Sequence, residues 1–550
     1  MPSPASHFRA PLLWLLVPLM AGLTAARLWP APAFGLTPLT VLAGLAAVAA
    51  GWCARRTGPR AFFAWGTGLV VAAGLGGFVL LHARHPGLQP AAARPPREVT
   101  VTIRVLQTFP AAPTARSLTG LGEITAAGEP DHELLRRRVY FSAIRRVSLP
   151  PLRSGRYVIR GVIEPLPPAT AGADFNDYLA NLGIHQRITR AQLISEAAPP
   201  GWFQGFCTRV EARWEGILRH GLEARPQAAS LYLAMLLGEK AELSNAQQEA
   251  FMRSGTFHIF SISGLHVAVI AGALYSTCGL LRLPRRPAVV LSLAGLWLYV
   301  QITGASSPAL RAFLMIAFLL ASQVFRLPGN ALAALTAAAL ATLLLDPLQL
   351  FSTGFQMSYT VVLALIVMGR PLAEKWVAAW RPFALLPRVS WRWRHHAVEW
   401  CGRKLLFAAA GCWTAFLAST PSGIGYFQLL APGSLLANLV IIPLSGVTIW
   451  AGFVSLLAGL AGLLPLSAVG NAFAALTIVL MDWLLRLGTG LPGMWFEAHY
   501  RAAWLAPASL VAMSAVLLAG AAGRWAPRHG GYWPPAVALG LLLILGVKFG

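Results

Sequence analysis

The stretch SGTFHIFSISGLHVAVIAG, Ser254 to Gly272, decides how this chain is read. It is apolar enough to lie in a bilayer. It nevertheless carries His258 and His266, the serines Ser261 and Ser263, and Gly264 between them. Ionisable side chains in a membrane segment are costly and mark a pathway or a binding site. Ser261-Ile-Ser-Gly264 is a poor continuous helix and predicts a break. A helix broken at membrane depth presents its partly charged ends to a polar substrate.

Working outward, 56% of the 550 residues are hydrophobic and 12% charged. A soluble domain has roughly 25% charged residues, so most of this chain is built for lipid. Lys+Arg 44 against Asp+Glu 20 gives a formal charge of +24. That balance fits nucleic acid, anionic lipid or ordinary cytoplasmic loops. Lys240, Lys375, Lys404 and Lys548 are the only lysines, so arginine as such carries no weight as a chosen phosphate reader. Cys53, Cys207, Cys278, Cys401 and Cys412 are scattered, without a CxxC, and fit neither a disulfide framework nor a zinc site.

Three apolar runs open the chain, near 11–29, 34–52 and 61–82, each long enough to cross as a helix. The first has no small-residue cleavage pattern and reads as a retained span. Arg55, Arg56 and Arg60 in the second connection predict a cytoplasmic loop. The N-terminus is therefore expected inside, and residues 84–225 outside. In that polar segment Val99, Val101, Ile103 and Val105 alternate with polar neighbours as in a half-buried strand. Further strand patterns occur at 121–126, 136–144, 156–164 and 184–194. Five short strands with turn signals suit an OB-like barrel, a fold often used for single strands. The segment holds 19 Arg against 12 Asp+Glu. Arg136, Arg137 and Arg138, followed by Tyr140 and Phe141, are its candidate edge for gripping a nucleic-acid strand; the plain alternative is a solvated strand face beside a barrel core. Residues 201–222 read as an amphipathic helix with Trp202 and Trp214 on its apolar face, predicted to lie at the membrane surface. Gln227 to Gly238 is apolar but too short to span. Later spans are expected near 256–281, 288–303, 308–325, 329–346, 350–369, 405–420, 434–460, 469–488, 503–522 and 533–549, about 13 in all. The run 434–466 is ambiguous between one helix and two. The basic segment 370–404 is expected inside.

Several motifs surround the opening stretch. Leu236-Leu237-Gly238-Glu239-Lys240, Leu243-Ser244 and Phe251-Met252-Arg253-Ser254-Gly255-Thr256-Phe257-His258 precede Ser261-Ile262-Ser263-Gly264-Leu265-His266-Val267. Thr303-Gly304 leads to Arg311-Ala312. Gly354-Phe355-Gln356-Met357-Ser358 and Ala437-Asn438-Leu439 with Pro443 follow. Upstream lies Asp174-Phe175-Asn176-Asp177-Tyr178-Leu179. In this order the motifs resemble the ComEC competence-protein family over about residues 95 to 460. The resemblance implies a mainly α, polytopic inner-membrane protein with an inserted OB-like extracytoplasmic domain, passing single-stranded DNA to the cytoplasm during transformation. It divides the chain into N-terminal membrane helices (1–83), an outer β domain (84–200), an interfacial helix (201–225), a competence-type channel domain (226–490) and C-terminal membrane helices (491–550). Implied partners are single-stranded DNA and membrane lipid, with a periplasmic DNA receptor, a cytoplasmic helicase motor and a separate nuclease.

The residues limit the chemistry. A strand path must be hydrated, weakly positive and free of sequence preference. Arg311 can donate to phosphate, and broken-helix amides near Ser263 and Gly264 can do the same without a full charge. Gln356, Ser358 and Asn438 can hydrogen-bond sugar or backbone. The competing reading is structural: small residues let helices approach, and Asn or Gln joins neighbours with roughly 0.6–2 kcal/mol. His258 and His266 lie about 80° apart around an ideal helix, with no third ligand in the stretch, so no metal is expected. Ser263 and His266 lack an acidic orienter for a hydrolase. Many family members carry a metallo-β-lactamase-like domain marked by His-x-His-x-Asp-His. This chain has no His-x-His, and no GxxxxGK[ST] phosphate loop. The expectation is a non-enzymatic channel without cofactor, a short member of the family, with its path at His258, Ser261, Ser263, Gly264, His266, Arg311, Gln356, Ser358 and Asn438. The alternative is a transporter of a non-nucleic-acid solute on the same fold.

Overall fold

The computed structural model describes residues 10–30, 32, 35–56, 58–85, 95–109, 117–129, 131–144, 154–167, 175–238, 245–260, 262–325, 329–523, 525 and 531–549. Of the motif residues, Asp174, Glu239, Lys240, Leu243, Ser244 and Ser261 lie outside them.

Three apolar helices come first: α1 (Leu13–Leu28), α2 (Thr37–Cys53) and α3 (Pro59–Arg84). Small residues set how closely they pack. A Cβ on Gly22 would lie 1.9 Å from the Gly74 carbonyl oxygen, and one on Gly77 2.5 Å from that of Leu19. Only glycine lets α1 and α3 approach so far.

The polar segment folds into β1 (Arg97–Phe109), β2 (Ser117–Ala127), β3 (Arg138–Ile144), β4 (Arg156–Pro165), α4 (Phe175–Asn181) and β5 (Gln186–Ala198), the five strands expected. The strands close into a barrel of order β1-β2-β3-β5-β4. All joints are antiparallel except β3 with β5, which is parallel. Alternation sends Val99, Val101, Ile103, Phe141 and Ile159 into a dry core. It turns the arginines outward, where Arg97, Arg104, Arg160 and Arg187 meet Asp131, Glu123, Glu98 and Glu164. The Arg160 guanidinium holds the Glu98 carboxyl below its ordinary pKa, by hydrogen bond first and by charge second. Beside the barrel, Leu179 of α4 and Ile184 pack on Leu121.

The rest is helical: α5 (Trp202–Arg219), α6 (Pro226–Leu237), α7 (Asn245–Arg253), α8 (Gly264–Leu280), α9 (Arg285–Ile302), α10 (Ser307–Val324), α11 (Ala331–Leu345), α12 (Thr353–Ala364), α13 (Arg370–Ala379), α14 (Trp393–Phe427), α15 (Ser434–Leu460), α16 (Leu464–Thr489), α17 (Leu505–Ala522) and α18 (Pro534–Gly546). Every residue of α6 from Ala228 to Leu237 is buried, the mark of a helix apolar all round. α5 divides its contacts. Trp202 is 82% exposed, while Ile217 and Leu218 sink into the bundle. Asn471 of α16 donates to the carbonyls of Ile217 and His220, at 2.8 and 3.0 Å, where α5 ends. The run 434–466 resolves into one helix with Pro443 inside it, followed by α16 from Leu464. The basic segment is partly helical too, because α14 begins at Trp393 and carries the last of it into a 35-residue helix. A π-helical turn at Leu365–Gly369 joins α12 to α13, and Trp525 Nε1 donates to the Val367 carbonyl within it. Three short strands, β6 (Leu429–Leu430), β7 (Phe496–Tyr500) and β8 (Val547–Phe549), form one small sheet that gathers the ends of α14, α16 and α18 on one side.

Among the described residues, seven helices are long and apolar enough to cross a membrane: Arg60–Arg84, Phe257–Leu280, Ser307–Val324, Trp393–Phe427, Ser434–Leu460, Leu464–Thr489 and Leu505–Ala522. Five more apolar helices are shorter. This is a helical membrane protein with a β-barrel domain.

Candidate functional site

The break expected at Ser263 is present. A 3-10 turn at Phe257–Phe260 stops, and Ser263 takes an extended conformation as the N-cap of α8. Serine suits that position because its side chain competes with the helix for backbone groups. The first amides of α8, which no helical carbonyl can satisfy, therefore begin within the bundle.

His266 lies one turn in and is fully buried. The Ser263 backbone N–H donates to His266 Nδ1 at 3.2 Å, and Ser263 Oγ lies 2.8 Å from the same nitrogen. An Nδ1 that accepts places the ring proton on Nε2 of a neutral imidazole. His266 Nε2 has no partner among the described residues. The result is a fixed, uncharged donor facing inward. His258, in the 3-10 turn before the break, is exposed.

Arg311 stands on the second turn of α10 and is 3% exposed. Its Nη2 donates to Ser358 Oγ at 3.2 Å, and its Nε has no partner. Among the described residues no carboxylate pairs with it. Gly354 makes the space: a Cβ there would lie 2.9 Å from Arg311 Nη2. A Cβ on Gly264 would lie 3.9 Å from Ala312 Cβ, so the start of α8 and the Arg311 turn are neighbours. α15 packs on α8 and carries Asn438, whose Oδ1 is shielded and unpartnered. Pro443, five residues on, removes a helical N–H from α15.

Gln356 is different. Its Nε2 donates to the Leu350 carbonyl at 3.1 Å, and its Oε1 accepts from the Tyr426 hydroxyl at 2.6 Å. It joins α12 to α14, with no hydrogen-bonding group to spare on the side chain's carbonyl beyond one lone pair.

In the barrel, Arg136 is exposed at φ +60° just before β3. Arg137 Nε donates to the Glu133 carbonyl at 3.0 Å, and Arg138 stands opposite Glu123 on β2. From Tyr140 onward β3 is paired on both sides, so these residues can bind only through side chains. Tyr140 is packed against Phe109 and Phe175, at ring distances of 6.2 and 5.5 Å. The accessible aromatics are Phe175 and Tyr178, stacked at 5.9 Å and 44% and 38% exposed. The sequence signal for them was the Asp174–Leu179 element, not the arginine run.

A polar joint links α4, beside the barrel, to α1. Arg27 Nη2 of α1 donates to Asn181 Oδ1 of α4 at 3.0 Å. His85, just past α3, lies 3.8 Å from Asp346. Burial first, and Arg138 second, push the His85 pKa down. Among the described residues no group of three His, Cys, Asp or Glu could hold a metal ion.

Three comparisons bear on this geometry. The family model for "Competence protein" matches residues 235–526, which contain the α8, α10, α12 and α15 residues above. ComE operon protein 3 of Bacillus subtilis is 29% identical over 37% of this chain and 26% of its own length. Competence protein ComA of Neisseria gonorrhoeae is 31% identical over 46% of this chain and 34% of its own. Recombination protein 2 of Haemophilus influenzae is 25% identical over 43% of this chain and 28% of its own. The chain thus matches about a quarter to a third of the length of these relatives. No solved structure matches it.

Proposed function

The chain belongs to the competence-protein family, and we propose that it is an inner-membrane channel that passes single-stranded DNA into the cytoplasm. The observation that carries this reading is a set of unfilled polar atoms on α8, α10 and α15, where α8 packs on both of the others. His266 Nε2, Arg311 Nε and Asn438 Oδ1 are all shielded and unpartnered. A shielded polar atom without a partner costs about 1–3 kcal/mol, which a passing polar chain would offset. A neutral donor, one cation and an amide can hold phosphate or sugar briefly without reading sequence. The strand order of the barrel, with its parallel β3-β5 joint, supports an OB-like receiving domain. Phe175 and Tyr178 offer a stacking surface, and Arg136–Arg138 offer charge beside it.

On this proposal the N-terminus is cytoplasmic, residues 84–225 are extracytoplasmic, and residues 226–490 form the channel. A receptor, a motor and a nuclease would be supplied by other proteins. The test is uptake of labelled DNA into the cytoplasm of a deletion strain complemented by this chain. Restoration by the wild type and loss with Arg311→Gln together with His266→Ala, at equal protein levels, is expected. Equal uptake with and without the chain would sink the DNA reading and favour a solute transporter.

A further inference from the structure

Arg27 lies outside the family-matched region and outside the sequence motifs. It ends α1, where a cation complements the helix C-terminus. Three elements enclose it. Asn181 Oδ1 of α4 accepts from its Nη2 at 3.0 Å. Its guanidinium carbon sits 4.6 Å over the Phe351 ring, in the 3-10 turn before α12. Tyr426 of α14, whose hydroxyl donates to Gln356, is close enough to interact with its charge. Among the described residues no carboxylate lies within the 4.0 Å of an ion pair. A half-buried guanidinium held by one amide and one ring keeps most of its N–H donors unused. Four barrel arginines, Arg97, Arg104, Arg160 and Arg187, by contrast have carboxylates.

The neighbourhood repeats this pattern. Phe351 underlies Arg27, and Gly354 and Ser358 abut Arg311. Two cations without carboxylates therefore flank the first turn of α12, capped by Ser352. The unpaired amides of a helix start add positive potential there. An arginine serving only to anchor a helix end would reach toward headgroups and water. Arg27 instead has the Phe351 ring on one face and the Asn181 amide oxygen at its edge, which orient its fork.

We infer that Arg27, set by Asn181 and Phe351, forms a phosphodiester-binding site at the barrel side of the path, one step before Arg311. The inference rests on the DNA reading above and adds the cation that receives the strand from the barrel. Guanidinium matches a phosphodiester with two parallel hydrogen bonds. A phospholipid headgroup offers the same chemistry, so the source must be separated by experiment.

The experiment titrates fluorescein-labelled dT12 against the purified full-length protein in phospholipid-free detergent at several salt concentrations. Arg27→Gln is expected to weaken binding about tenfold, the loss of a charged hydrogen-bond donor. It should also make the salt dependence shallower by about 0.7, one phosphate contact on a single strand. Arg27→Lys should keep the wild-type slope and recover part of the affinity. Wild-type affinity and slope in Arg27→Gln would overturn the site and leave the DNA reading standing. No dT12 binding by the wild type would overturn both. Equal weakening by Arg27→Gln, Arg27→Lys and Asn181→Ala with an unchanged slope would make Arg27 a structural joint. Reduced co-purification of anionic phospholipid with an unchanged dT12 slope would assign the site to lipid and overturn the strand assignment.

Discussion

Four surface arginines of the barrel and the buried Arg311 of the bundle are held in opposite ways. On the barrel, Arg97, Arg104, Arg160 and Arg187 each meet a carboxylate while staying partly in water. In the bundle, Arg311 is nearly inaccessible and hydrogen-bonds a serine hydroxyl, with no carboxylate partner among the described residues. Energetically these are different statements. An exposed ion pair is worth about 0–1 kcal/mol, and losing one changes little. A buried cation without a counter-charge is held against a large penalty. Balanced charge in the barrel therefore says little about function, and unbalanced charge in the bundle says much.

The same contrast divides the bundle's own polar groups. Asn471 is fully used: it donates to two carbonyls and accepts from Tyr232 and Ser455 at 3.1 and 2.6 Å. Asn438 has an unpartnered Oδ1. One amide ties α5, α6, α15 and α16 together. The other leaves its acceptor unused among the described residues.

The comparison can be broken at either end. The largest effect is expected from Arg311→Gln, which should lower DNA uptake about tenfold or more, the loss of a charged hydrogen-bond donor, while the folded protein accumulates normally. If uptake stays within twofold, the unbalanced cation has no task and the contrast fails. Next is the asparagine pair. Asn471→Ala should lower thermal stability and folded yield in detergent, because its carbonyl partners are left unsatisfied at about 1–3 kcal/mol. Asn438→Ala should leave stability unchanged and reduce uptake. The reverse result would exchange their roles. The smallest effect is expected from Arg160→Gln on the barrel. The paired Glu98 carboxyl has a lowered pKa, so the pair's contribution is present above the unfolded carboxylate pKa and fades as pH falls through the folded value. Both groups are exposed, so the variant should melt like the wild type at neutral pH. A clear drop would show that barrel charge pairs matter more than exposed pairs do.

Much of this architecture is legible in local patterns. Strict alternation from Val99 to Val105 predicts β1, and five such patterns become five strands. The Ser-Ile-Ser-Gly run predicts a break, and α8 begins at Gly264. Less legible were the limits of helices where apolar and basic residues share one element. α14 carries Trp393 to Lys404 on the same helix as an apolar span, because a helix tolerates long charged side chains at its end.

What the sequence by itself determined is everything governed by neighbours within a turn or a strand. This includes the membrane class, the barrel's in–out pattern, the helix break and the motif order of the family. What only the tertiary structure decided is which polar groups are satisfied. Gln356 and Asn438 look alike in sequence as lone amides in apolar runs. Gln356 finds Tyr426, 70 residues away, and Asn438 Oδ1 finds no one. Tyr140 looks available beside the arginines and is packed against Phe175. Arg27 looks like an ordinary helix-end cation until Asn181, 154 residues on, is seen to hold it. The physical reason is range. Hydropathy and periodicity act over a few residues, whereas hydrogen-bond satisfaction in a bundle joins groups that meet only when the chain has folded.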